Sequence, residues 1–168
     1  PKPLWKSSVS AGLNGNEKDG DSSLTFNFSG DTRYEDESQK LSMSGSFNSK
    51  QSKKPGEPRK FDTEKGSAQI RYDKPIASKL ALFAETDYLY NGTNSSGVNT
   101  VDQTLGVAYP LIQSETIDFT LSVGPTAKWL GGGKGCSSNS YCGNTYGGGS
   151  IIASLLWNPI SSLQFKLD

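Results

Sequence analysis

Apolar and polar residues alternate along this chain from Trp5 to Leu167, and no helical period interrupts the alternation. Between Ser22 and Tyr34, Leu24, Phe26, Phe28 and Tyr34 share one parity, while Thr25, Asn27, Ser29, Asp31 and Arg33 share the other. Successive side chains of a strand point to opposite faces, so each such run makes a ribbon with one apolar and one polar face. A chain built this way is all-β, and its fold must cover one face and wet the other.

The alternation predicts nine strands, at residues 4–13, 22–34, 40–50, 63–73, 79–90, 100–112, 117–130, 150–157 and 162–167. Most are longer than the roughly five or six residues common in soluble proteins. They match the roughly nine to eleven that a tilted membrane strand needs. The predicted connections alternate in length. Segments 35–39, 74–78, 113–116 and 158–161 are short, and segments 14–21, 51–62, 91–99 and 131–149 are long. All short turns then lie at one end. Trp5, Tyr34, Tyr72, Tyr109 and Trp157 gather at that end, and Tyr88, Tyr90 and Trp129 near the other, as two aromatic belts would. Together these features predict an antiparallel transmembrane β-barrel in a single domain over residues 1–168. Low overall hydropathy does not oppose this, because alternation averages the signal away.

The polar parity carries Asp31, Arg33, Arg71, Asp73, Glu85, Asp87, Asp102, Asp118 and Lys128, predicted as lumen charges among small Ser, Thr and Gly residues. Eight strands just enclose their own side chains, and residues this small would leave such a barrel hollow. A wall of about ten to fourteen strands is expected. The charges either line a small pore or pair and close the interior. Nine antiparallel strands leave the first and last running the same way, and bacterial single-chain barrels close with an even number. The expectation is therefore a wall truncated at its C-terminal end, or one completed by another chain. Pro125, preceded by Gly124, lies mid-strand where it cannot donate a ladder hydrogen bond, so a bulge or kink is expected there.

Several function classes drop out. Net charge is zero and no basic patch interleaves with aromatics, so no nucleic-acid partner is expected. Without histidine, Ser/His/Asp and Cys/His arrangements are unavailable, and no enzyme and no cofactor are predicted. Cys136 and Cys142 flank a short Ser/Asn/Tyr loop and are predicted to form a disulfide; with no third cysteine, no metal is expected there. Glu17, Asp19 and Asp21 offer oxygens at alternate positions for calcium but lack an EF-hand pattern, so a solvated turn is preferred. Gly131–Gly133 and Gly147–Gly149 lack P-loop spacing and read as loop flanks. Lys50, Lys53, Lys54, Arg59 and Lys60 make the second long connection basic, suited to lipopolysaccharide or simply to solvent.

Trp5 with its alternating first strand and Gly15-Asn16, the stretch from Tyr72-Asp73-Lys74 to Tyr88, and Gly106-Val107-Ala108-Tyr109 resemble the salt-induced outer-membrane protein family. That family is a bacterial outer-membrane β-barrel domain of unknown function. The resemblance implies about twelve strands in the intact wall and transfers no catalytic or ligand residue; the Cys136/Cys142 loop departs from it. The expectation is thus a non-enzymatic integral barrel of a Gram-negative-type outer membrane, acting as a passive pore or a structural wall. Its expected partners are membrane lipid and, at the long loops, lipopolysaccharide or another envelope protein. The alternatives are a barrel subunit of a surface assembly and a soluble secreted β-sandwich or adhesin.

Overall fold

The computed structural model of the chain describes residues 4–114, 116–160 and 163–167. They form one antiparallel sheet of nine strands: β1 (Trp5–Lys18), β2 (Asp21–Glu35), β3 (Lys40–Lys53), β4 (Lys60–Ala77), β5 (Leu80–Asn91), β6 (Asn99–Gln113), β7 (Ile117–Gly131), β8 (Thr145–Ile160) and β9 (Leu163–Leu167). Spatial order is sequence order, a pure meander. A 3-10 turn at Cys136–Ser138 is the one helical element among the described residues. The sheet is open, with β1 and β9 as its edges.

The strands are longer than the alternation alone indicates, and this corrects the predicted connections. The first long loop does not exist. The β1–β2 ladder continues to Lys18↔Asp21, leaving only Asp19 and Gly20 as a turn. Both have left-handed backbones, at φ 54 and 84. A type I′ hairpin demands this, and Asp-Gly supplies it at little cost. Segregation of loop length therefore holds for the later connections only. Glu17, Asp19 and Asp21 do not form a metal cage, since no cluster of potential ligands occurs among the described residues. Gly147, Gly148 and Gly149 are not loop flanks either; they lie in β8, paired with Ala127, Thr126 and Pro125.

Bulges fall where even-numbered strands meet proline near their ends, while another, at Asp62 in the β3–β4 ladder, involves no proline. The register shifts between Pro75 and Ala77 and between Pro110 and Ile112. A ring nitrogen cannot feed the ladder, so an extra residue is accommodated there. Of the bulge or kink expected at Pro125, the bulge is absent. Thr104↔Thr126 and Val107↔Val123 share one register on either side of the break. Gly106 and Gly124 explain this. A Cβ on either would press into the facing strand, on the carbonyl oxygen of Val123 or of Leu105. Two glycines let β6 and β7 close up, so the missing hydrogen bond is spanned without inserting a residue.

The sheet bends strongly. Arg71 on β4 donates from Nη2 to Ser122 Oγ on β7, at 3.0 Å, passing over β5 and β6. In a flat sheet those strands would lie about 14 Å apart, beyond an arginine's reach. The face carrying both residues is therefore concave. Phe83, Glu85, Thr104, Ala108 and Ser122, all on that face, are buried. The convex face is apolar and open. Val9, Leu13, Phe26, Phe28, Ile70, Leu82, Leu105, Val123 and Ile151 lie on it, with Val9 and Ile151 exposed by 74% and 78%. Among exposed large hydrophobics of the described strands, outside the bulges, only Leu89 falls on the concave face.

Candidate functional site

The concave face of β4–β7 holds the densest arrangement of charge. Register places Arg71 opposite Glu85, and Asp73 opposite Phe83. The Arg71 guanidinium donates from Nη2 to Asp73 Oδ1 at 2.8 Å and from Nη1 to Glu85 Oε2 at 3.2 Å. Its Cζ lies 4.3 Å from the Phe83 ring centroid, within cation–π range. Phe83 in turn faces Gly106 across the β5–β6 ladder. An aromatic ring beside a glycine in a bent sheet fills the space the absent side chain leaves. Bend, ring and guanidinium thus form one unit. The glycines permit curvature, Phe83 occupies the bend, and Arg71 on β4 ties β5 and β7 to its own strand over it.

The next row along the strands is Gln69, Asp87, Asp102 and Lys128, from β4 to β7. Gln69 Nε2 donates to Asp87 Oδ1 at 2.8 Å, and Lys128 Nζ lies 3.4 Å from Asp102 Oδ2. Asp87 and Asp102 stand directly opposite each other. Like charges so placed repel, and the flanking amide and ammonium offset this. Toward β1 the face is wetter. Ser8 donates to Asp31, and Arg33 pairs with Glu35 at 2.6 Å. On β7, Asp118 accepts from Thr120 Oγ1 at 3.3 Å. All nine charged residues singled out in the sequence share the concave face. Lys40 belongs with them, set between Glu35 and Asp73 by register. Its parity with Ser42 and Ser44 was readable in β3.

The eight singled-out aromatics lie on the convex face. The Trp5 and Tyr34 rings approach at 5.0 Å. Tyr72 donates to Gln39 Oε1 at 3.1 Å, and Tyr88 to Asn99 Oδ1 at 2.6 Å. Each hydroxyl is satisfied at a strand end while its ring stays on the apolar surface.

At the β2–β3 turn, Asp36 accepts from Tyr34 Oη (2.5 Å), Ser38 N (2.7 Å), Ser38 Oγ (2.8 Å) and Gln39 N (2.9 Å). The Tyr34 hydroxyl foremost, with the Ser38 and Gln39 donors, holds its carboxyl far below the ordinary 3.8. A depressed carboxylate stabilises the fold fully above its unfolded pKa of about 3.9, and loses that contribution as pH falls further. Asp36→Asn should therefore unfold earlier in denaturant by a constant margin from pH 8 to 5, and by a shrinking margin below pH 4. A margin that widens in acid would contradict the assignment.

At the opposite end the two longest connections are joined. The N–H groups of Gly97 and Val98 donate to Gly132 O, and Gly135 N donates to Ser95 O. Cys136 and Cys142 form the expected disulfide. This coupling had no counterpart in the sequence pattern, which treats each loop alone.

The fold defines the class of protein: an antiparallel β-meander bent into a trough, charged within and apolar without. Residues 9–134 match the model of the family described as "Protein of unknown function, DUF481", and the chain belongs to that family. No curated protein matches it.

Proposed function

We propose that this chain forms the wall of a non-enzymatic β-barrel in the outer membrane of a Gram-negative-type envelope, serving as a passive pore or a structural barrel. The observation that carries the reading is the convex face. Soluble monomers rarely expose contiguous apolar patches beyond a few hundred Å², yet here every strand from β1 to β8 except β3 contributes exposed large apolar residues to one open surface, and Leu41, Met43 and Phe47 of β3 lie half-buried on the same face. Lipid is the medium that such a surface fits, and the belts of Trp and Tyr at its two ends suit the two interfaces. The likeness to the salt-induced outer-membrane protein family supports the same reading. In lipid, unpaired edge groups cost several kcal/mol each, so the wall must close. β1 and β9 run the same way, and antiparallel closure takes an odd number of further strands between them. The charged trough then lines the interior.

One added charge on each face tests this. Leu105→Arg places a cation on the convex face midway along β6, which should cost about 2–4 kcal/mol in a bilayer. Gln69→Lys places one on the concave face and should be tolerated. Folding yields of the two variants in lipid vesicles are compared; equal yields would sink the lipid-facing assignment. Conductance in a planar bilayer then separates a pore from a closed wall.

A further inference from the structure

The joined loops at the end of the sheet present a second surface, and it stands whether or not the convex face meets lipid. Between Gly131 and Gly149 the chain is built from Gly, Ser, Asn, Thr, Tyr and the two cysteines, with Lys134 its one formal charge. That is the composition of antibody recognition loops: tyrosine for rigid contact area, and small polar residues for adaptable hydrogen bonds. Loops so rich in glycine are ordinarily mobile, but this one is fixed from several sides. The disulfide closes it. Gly143 N donates to Leu130 O at its exit. Asn139 does most to position the tip. Its Oδ1 accepts from Tyr141 N at 3.0 Å, and its Nδ2 donates to Ser96 Oγ of the neighbouring loop at 3.3 Å.

The outcome is an immobilised aromatic in water. The Tyr141 ring lies 5.6 Å from that of Tyr146 and is 63% exposed. Tyr146 Oη donates to Ser140 O, as does Asn144 Nδ2, so the second ring and the peptide before Tyr141 are both held. A fixed tyrosine with an open face among neutral donors and acceptors is preorganised for a ligand with an apolar face and many hydroxyls.

We propose that this loop platform binds neutral carbohydrate. The C–H face of a pyranose stacks on Tyr141, and its hydroxyls meet the amide and hydroxyl groups around it. The near absence of charge argues against a phosphorylated or acidic ligand.

The test uses the purified full chain, with its disulfide intact, on immobilised dextran, mannan and chitin oligosaccharide, with heparin as an acidic control. Retention on at least one neutral glycan is expected. Tyr141→Ala should weaken it about tenfold or more, as loss of an aromatic anchor does, and Tyr141→Trp should preserve it. Asn139→Ala, which frees the tip without removing the ring, should weaken binding by a smaller factor. No retention on any neutral glycan, retention unchanged in Tyr141→Ala, or retention on heparin alone would each overturn the proposal. Sheet circular dichroism of every variant distinguishes lost binding from lost fold.

Discussion

Gly124→Ala and Gly106→Ala are each expected to abolish or severely impair folding. A methyl on Gly124 would drive into Leu105 O, and one on Gly106 into Val123 O with Gly124 Cα only 2.8 Å away. These obstacles are backbone atoms and cannot rotate aside. Relief requires β6 and β7 to separate where Pro125 has already removed a hydrogen bond. We expect a loss of about 3 kcal/mol or more, the upper range for overpacking. Gly149→Ala is the control. It also lies in a paired strand, opposite Pro125, yet a Cβ there meets nothing within 4 Å. Denaturant unfolding should find Gly149→Ala near the parent and the other two unfolded or far weaker. Similar midpoints for all three would refute the close-approach account.

The second large effect is expected at Arg71. Its side chain is 18% exposed, and those of Asp73 and Glu85 are 14% and 7% exposed. Arg71→Leu leaves two poorly solvated carboxylates without their cation. It also removes the contact with the Phe83 ring and the tie to Ser122. Breaking a buried pair from one side costs about 3–5 kcal/mol, and the partial exposure here places the expectation near the lower figure. Adding Glu85→Gln to Arg71→Leu should restore part of the loss, because one orphaned charge is then gone. Exposed pairs behave differently: Arg33→Leu, which severs only the Glu35 contact, should change stability by less than about 1 kcal/mol. If Arg71→Leu is as mild as Arg33→Leu, or if Glu85→Gln makes it worse, the charge-pair account fails.

The facing of nearly every strand residue was legible in the sequence, because parity is a local property and survives uncertainty about strand ends. Arg71, Asp73, Glu85 and Asp87 could therefore be placed on one face before any register was known. That Arg71 reaches Ser122 was not legible, because this depends on curvature, and curvature depends on Gly106 lying opposite Gly124 across two strands. No single-strand pattern contains that pairing. The missed β1–β2 turn differs in kind. Asp19-Gly20 is the strongest short hairpin signal available, but the flanking Asn14, Asn16 and Glu17 are poor strand formers and read as loop. The ladder partners Thr25, Ser23 and Ser22 on β2 recruit them into β1 regardless. Gly147–Gly149 were misread for the same reason, since glycine carries no alternation of its own and takes strand structure from Ala127, Thr126 and Pro125 opposite.

The strictly sequential order of the strands bears on how such a sheet is assembled. Each ladder joins neighbours in the chain, and the longest connection to be closed spans residues 132–144. Loop-closure entropy grows only slowly with length, so each pairing step is cheap and local. A chain of this topology can add one hairpin at a time, the first seeded by the Asp19-Gly20 turn, with each new strand templated on the edge of the last. That order leaves the outer edges of β1 and β9 unpaired, and these are the two places where the sheet is open to another strand.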